Sequence, residues 1–300
     1  MANGLDTSFE ASSGSGGREV VLCAEYDALP AIDHACGHNL IIDFFATSLA
    51  AASLGASRAF SELQTPVRVR ILGTPAEEVG GGKIAIIRAA AFSGASASIM
   101  SHPVTPNSLC TDTEVSGSAA LNLVPSIIIR VDFRGRSAHA AAGPWNRLNA
   151  LDSAVAATFA LGGTGPAVFE TGGTVPNVIE AGASATRCSA EYLRADDSRR
   201  VVGNQAICET FSTVTAMVDR KVLARQERPL VASTDMGNVS PGLPSMHGAL
   251  AIPAIPGAAL HGKQFARAIG GRAEHEAATD CGTEWRCSPS TYSPMIGWLR

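Results

Sequence analysis

Apolar residues run together through Val20-Val-Leu-Cys23, which predicts a first strand over residues 19–24. The next stretch, Ala24-Glu-Tyr-Asp-Ala-Leu-Pro-Ala-Ile-Asp-His-Ala-Cys-Gly-His-Asn39, is a loop crowded with acids, histidines and a thiol. From about residue 39 to 56 the pattern is apolar all round, as in a buried helix. Thr65-Pro-Val-Arg-Val-Arg-Ile-Leu72 then alternates valine and isoleucine with Arg68 and Arg70. Period two predicts a strand with one buried face and the arginines on the other. It runs into a second loop, Gly73-Thr-Pro-Ala-Glu-Glu-Val-Gly-Gly-Gly82, followed by a helix over 83–92 and a short strand over 97–100 that ends at Ser101-His-Pro103. Residues 1–18 are polar and glycine-rich, and Ser12-Ser-Gly-Ser-Gly-Gly-Arg18 reads as loop. Three successive strand ends therefore present candidate ligands: Cys36 and His38, Glu77 and Glu78, and His102. In an open α/β sheet such strand ends are where the site is usually placed.

The pattern changes near Pro125. Strands are expected over 126–134, 172–179 and 185–194, with helices around 148–160 and 199–218, giving a β-α-β-β-α insert. The expected division is residues 1–125 and 229–300 for one α/β domain, and 126–228 for an inserted α+β domain. No internal repeat is present, and beyond about Gly271 the periodicity dissolves.

Composition narrows the class. The chain has 300 residues, 46% of them apolar and 17% charged, enough for a large core and two domains. A formal net charge of -4 gives no reason to expect a nucleic-acid or anionic-membrane partner. Apolar runs fall short of the ~20 residues of a spanning helix, and the N-terminus does not read as a secretory signal. Seven scattered cysteines suggest free thiols in a reducing, cytoplasmic setting rather than a disulfide framework.

Cys36 and His38 flank Gly37, so a turn can aim both at one point, and a thiolate can bridge two metals. Taken alone, the pair reads equally well as a buried thiol beside a capping histidine. Glu77 and Glu78 enter a triple-glycine turn. Adjacent side chains diverge, so one can bind metal while the other takes a proton from water. His102, His139 and His261 carry little weight individually, since histidines in such places are more often structural.

Together, Glu25-Tyr-Asp-Ala-Leu-Pro30 and His34-Ala-Cys-Gly-His-Asn39 resemble the signature of the aminoacylase/carboxypeptidase-type dinuclear zinc peptidases. The nearest branch holds p-aminobenzoyl-glutamate hydrolase, auxin-conjugate amidohydrolases and β-alanyl-dipeptide peptidases. Gly73-Thr-Pro-Ala-Glu-Glu-Val-Gly-Gly-Gly-Lys83, Met100-Ser-His-Pro103, Gly135-Arg-Ser-Ala-His-Ala-Ala141, Pro176-Asn-Val-Ile179 and Ser233-Thr-Asp-Met-Gly-Asn-Val-Ser240 continue the likeness in order. The resemblance implies an α/β catalytic domain with an inserted lid and dimerisation domain. It implies two divalent metal ions, zinc by ligand softness with manganese or cobalt also fitting. It makes Cys36 the bridging ligand, with His38, Glu78, His102 and His261 as the other ligands. Glu77 becomes the general base and Asp27 an acid behind the ligands. His139 becomes the lid histidine that steadies an oxyanion, often across a homodimer. Asn177 and Arg194 bind substrate. The implied activity is hydrolysis of an amide in an N-acyl amino acid or dipeptide.

Relatives begin further upstream and have a longer lid, Glu180 stands where they usually carry proline, and His261 lacks its usual neighbours. The competing expectation is therefore a truncated, catalytically impaired paralogue acting as a non-catalytic subunit or pseudoenzyme.

Overall fold

The computed structural model describes residues 2–44, 66–109, 115–126, 128–139, 141–160, 167–171, 178–179, 182–188, 199–217, 219–230, 232–252 and 258–276. The chain divides into two compact units, Met1–Pro125 with Ser198–Arg300, and Ser126–Asp197.

The larger unit is built on a seven-stranded mixed sheet. Its strands are β1 (Glu10–Gly14), β2 (Arg18–Ala24), β3 (Val67–Gly73), β4 (Ala97–Val104), β5 (Gly117–Ser118), β11 (Val222–Leu223) and β12 (Ser245–Ala251), in the order β1-β3-β2-β4-β12-β5-β11. β2 lies parallel to both β3 and β4, and β12 is parallel to β4. Central parallel strands are covered on both faces, so their sequences are continuously apolar. Val21, Leu22, Cys23 and Ala24 of β2, Leu72 of β3, Met100 of β4 and Met246 of β12 accordingly share one buried cluster. The helix α1, described over 38–44, contributes Ile41 and Phe44 to it. After β2 the chain adds β3 on one side and β4 on the other, so strand order reverses at β2. That is the topological switch point of such sheets, and ligands bind beyond the strand carboxyl ends there.

Two expectations need correction here. Residues 10–14 are not loop: β1 pairs antiparallel with β3, Ser12 opposite Arg70. An edge strand is held by backbone hydrogen bonds, and its serine-rich, exposed side chains leave no apolar pattern to read. β4 does not stop at Met100 but continues to Val104, so His102 lies within a strand rather than at its end. Pro103 stays in line there, although prolines are rare inside sheets.

β3 alternates as expected, yet Arg70 is buried. Its guanidinium donates to Glu19 Oε1 from Nε (3.1 Å) and Nη2 (2.9 Å), to Glu10 Oε2 from Nη1 (3.1 Å) and to the Ala91 carbonyl (2.8 Å). The polar face of the strand is thus partly interior.

α2 (Gly82–Arg88) follows the glycine turn, and α4 (Gln205–Ala216) opens on Asn204, whose side chain accepts from Ile207 N at 3.2 Å. α5 (Met236–Val239) and α6 (Lys263–Ala268) complete this unit. The 253–257 and 277–300 stretches lie outside the described residues.

The smaller unit is α+β. β6 (Ile128–Arg134), β10 (Gly182–Cys188) and β8 (Ala167–Thr171) form an antiparallel sheet in the order β6-β10-β8, with α3 (Ala150–Ala160) against β6 and β10. Ala150 and Ala154 are its buried residues, packed on Phe133 and Leu151. β7 (Ala138–His139) pairs with β9 (Val178–Ile179). The unit begins where the expected insert begins and ends at Asp197, while α4 falls in the larger unit.

Candidate metal centre

The loop after β2 folds back on itself, with Leu29 N donating to the Asp33 carbonyl (2.9 Å) and Gly37 N to that of His34 (2.7 Å). Gly37 sits at φ 87°, and a Cβ there would lie 2.4 Å from Pro103 Cγ. No other residue meets both conditions without strain. This close approach sets Cys36 and His38 against β4 where it carries His102. After β3, Thr74 N donates to the Ala24 carbonyl (2.8 Å), so the Glu77–Glu78 loop leaves beside the end of β2. His261 arrives from the far end of the chain, and its backbone N donates to the Ala35 carbonyl at 2.9 Å.

The result is two groups of possible ligand atoms, one from Cys36, His38 and His102, the other from Cys36, Glu78 and His261. Within each group the atoms lie within 4.8 Å of one another, and Cys36 belongs to both. The five residues expected as ligands are therefore brought together. Glu77 sits in a third group with Glu25 and His38. The first site is more deeply set, for His38 is fully buried, whereas the His261 side chain is 53% exposed.

Tautomers follow from the partners. His38 Nδ1 donates to the Asp27 carbonyl (2.9 Å), with Asp27 Oδ1 at 3.3 Å, so its Nε2 faces the site and presents a lone pair there once its proton is given up. Asp27 Oδ2 also accepts from Glu78 N (3.0 Å), tying the first ligand loop to the second. Asp27 thus stands behind two expected ligands. His102 Nδ1 meets Nε2 of His247 at 3.1 Å, with the rings stacked. When His102 donates across this contact, its own Nε2 is free to bind a metal.

Several buried atoms at the centre have no hydrogen-bond partner: Glu25 Oε2, Asp27 Oδ1, His38 Nε2 and Glu78 Oε1. Buried polar atoms are normally satisfied. An unpaired cluster of carboxylate and imidazole lone pairs is what a divalent cation would satisfy, so the donor set fits a metal.

The electrostatics agree. Burial pushes the Cys36 thiol well up, and the carboxylates of Glu78 and Glu77 push it further. Burial likewise raises Glu77 well above the usual carboxylate range, helped by Glu25 and Asp235. Burial acts to lower His38, but the hydrogen bond to Asp27 and the charge of Glu25 outweigh it, lifting the group to about 9. A centre that crowds protons in this way exchanges them readily for a cation.

Four residues without an expected role prove central. Lys83 is fully buried, with Nζ donating to Glu25 Oε1 and to Asp235 Oδ1 (2.6 Å), while its backbone N donates to Asp235 Oδ2 (2.8 Å). Burial acts to lower the ammonium, but Asp235 and Glu25 hold it charged. His247, on β12, is fully buried behind His102. A lysine opening an apolar helix reads as a surface residue, and a lone strand histidine reads as structural. The nearest sequence signal was Glu25, directly after β2 and two residues before Asp27.

His139 lies in the smaller unit on β7, exposed, with Nδ1 accepting from Ala141 N (3.2 Å) and Ala142 N (3.1 Å). Its Nε2 therefore carries the proton and points no lone pair outward. Asn177 and Arg194 lie outside the described residues.

No family model matches the chain. It is 42% identical to Xaa-Arg dipeptidase of Mus musculus over 163 residues, 51% of this chain and 35% of that protein. It is 28% identical to one of the p-aminobenzoyl-glutamate hydrolase polypeptides of Escherichia coli (strain K12) over 166 residues, 50% of this chain and 32% of that protein. By sequence, about half of the chain is similar to these hydrolases. They include the p-aminobenzoyl-glutamate branch to which the ordered motifs pointed. The matched region spans about a third of the length of each. A dinuclear metal-binding peptidase of the M20 family from Bacillus subtilis has the same fold, with a TM-score of 0.60 and 17% identity over 97% of this chain and 85% of that one.

Proposed function

We propose that the chain is a metal-dependent hydrolase of linear amides, acting on an N-acyl amino acid or a dipeptide. The observation that carries the proposal is the pair of ligand groups sharing Cys36 at the switch point of the sheet. The dipeptidase and amidohydrolase relatives support the same reaction class.

Cys36, His38, His102, Glu78 and His261 would hold two divalent ions, with zinc the best match to thiolate and imidazole. When bound, such ions lower the pKa of water and polarise the amide carbonyl. Glu77 takes the proton from water and returns it to the departing amine. Its carboxyl is suited to this, because burial and the charges of Glu25 and Asp235 raise its proton affinity. Asp27 holds His38 in one tautomer and fixes the Glu78 backbone. His139, with its proton on Nε2, would donate to the oxyanion, and Asn177 and Arg194 would take the substrate carboxylate. The smaller unit would act as lid and as the contact of a homodimer. Free Cys23, Cys36 and Cys208 fit a reducing, cytoplasmic setting. Among the described residues no helix is long and apolar enough to cross a membrane.

The test is the Glu77→Gln variant assayed on N-acyl amino acids and dipeptides. Hydrolysis is expected to fall by at least about a thousandfold while both metals stay bound. Near-normal turnover would remove Glu77 as the base. A purified wild-type chain that binds no metal and hydrolyses nothing would favour the non-catalytic paralogue.

A further inference from the structure

Glu25 stands apart from the other acids of the centre. It is fully buried, one oxygen is held by Lys83, and the other is held by nothing. That second oxygen, Oε2, lies 3.3 Å from His38 Nε2 and 3.2 Å from His102 Nε2. Glu25 Oε2 and His38 Nε2 are both buried without a hydrogen-bond partner, so a cation shared between them would satisfy both at once.

The spacing also fits shared coordination. In a tetrahedral site with bonds of about 2.0–2.1 Å, neighbouring ligand atoms sit about 3.3–3.4 Å apart. Glu25 Oε2 meets that separation to both histidines. The neighbouring Glu78 Oε1 is further from His38 Nε2, at 3.8 Å, and lies 3.7 Å from His261 Nε2. Glu78 Oε1 thus lies about midway between His38 and His261, while Glu25 Oε2 sits closer to the buried pair of histidines.

The charges point the same way. Lys83 already has a full counter-charge in Asp235, which accepts from both its Nζ and its backbone N. Glu25 is a second buried carboxylate on the same ammonium. Glu25 thus shares its ammonium with Asp235, and its other oxygen faces His38 and His102.

Building on the dinuclear reading above, we propose that Glu25 is a direct metal ligand through Oε2, completing the buried site of Cys36, His38 and His102. Lys83 is its positioning residue: it holds Oε1, so that only Oε2 can turn to the metal. The buried site is then closed by four protein groups, while the Cys36, Glu78 and His261 site keeps an open position.

The measurement is zinc binding to the full chain, by elemental analysis and by competition with a chromophoric chelator, with cobalt absorption as a second readout. The wild-type chain is expected to bind one ion tightly and one more weakly. Glu25→Gln should weaken the tighter site by more than about a hundredfold, beyond the range for residues behind the ligands, and alter the cobalt bands. In zinc-loaded wild-type crystals, anomalous diffraction should place a zinc within about 2.2 Å of Glu25 Oε2, a result that does not depend on how the variant folds. Glu25→Gln binding two zinc ions with affinities within about threefold of wild type, or a zinc beyond hydrogen-bond range of Oε2, would overturn the assignment while leaving the dinuclear centre intact. A wild-type chain that binds no zinc or cobalt would remove the dinuclear reading itself.

Discussion

His247 shows how much a residue far from solvent can depend on its state of protonation. Burial holds it down near 3 from its ordinary 6.5, and the neighbouring His102 adds to the effect. The unfolded chain takes up a proton on this histidine near 6.5, and the folded chain does not until near 3. Between those values the unfolded state binds more protons, so stability falls as pH falls. Metal-free protein titrated with denaturant from about pH 7 to about pH 5 should lose stability steadily, and His247→Asn should flatten that slope. A parallel slope in the variant would mean another group controls it. At this scale the sequence was informative where residue types bind metal and silent where residues act through their neighbours. Cys36, His38, Glu78, His102 and His261 were visible as residue types that bind metal. His247 and Lys83 were not, because their roles come from the residues packed around them, and local pattern carries no record of that packing.

At the scale of elements, legibility followed burial. β2 was readable because a central parallel strand must be apolar throughout. β1 was not, because an edge strand is specified by its partner's backbone rather than by its own side chains. β3 shows a subtler failure. Its alternation was visible, but a polar position was taken as a wet one, and Arg70 is buried among Glu10, Glu19 and the Ala91 carbonyl. This arginine fastens β1 and β2 to β3. Replacing it leaves the mostly buried Glu19 carboxylate with the more distant Arg68, at 3.6 Å, so Arg70→Ala should cost about 2–4 kcal/mol in chemical denaturation. Arg70→Lys should recover only part of that, because one ammonium cannot reproduce a planar fork reaching three acceptors. A loss below about 0.5 kcal/mol, the level of an exposed pair, would show that the cluster is effectively solvated.

For the whole molecule, the centre is a joint between distant parts of one chain. Its groups come from residues 25–38, 77–83, 102 and 235–261, with the smaller unit inserted between them. A ligand that binds only the folded state stabilises by mass action, roughly 4 kcal/mol at a thousand times its Kd. Stripping the metals with a strong chelator should therefore lower Tm by several degrees, and restoring zinc should return it. An unchanged Tm would mean the larger unit holds together without its ions.

His261 reaches the centre through a backbone hydrogen bond to Ala35, more than two hundred positions earlier in the chain. During synthesis Cys36 and Glu78 leave the ribosome long before His261. Until residue 261 has emerged, that group of donor atoms is incomplete. Assembly of the centre thus reports that the larger unit has been made through to its far side. A chain interrupted within the smaller unit would carry the ligand-rich loops without the contact that brings His261 to them.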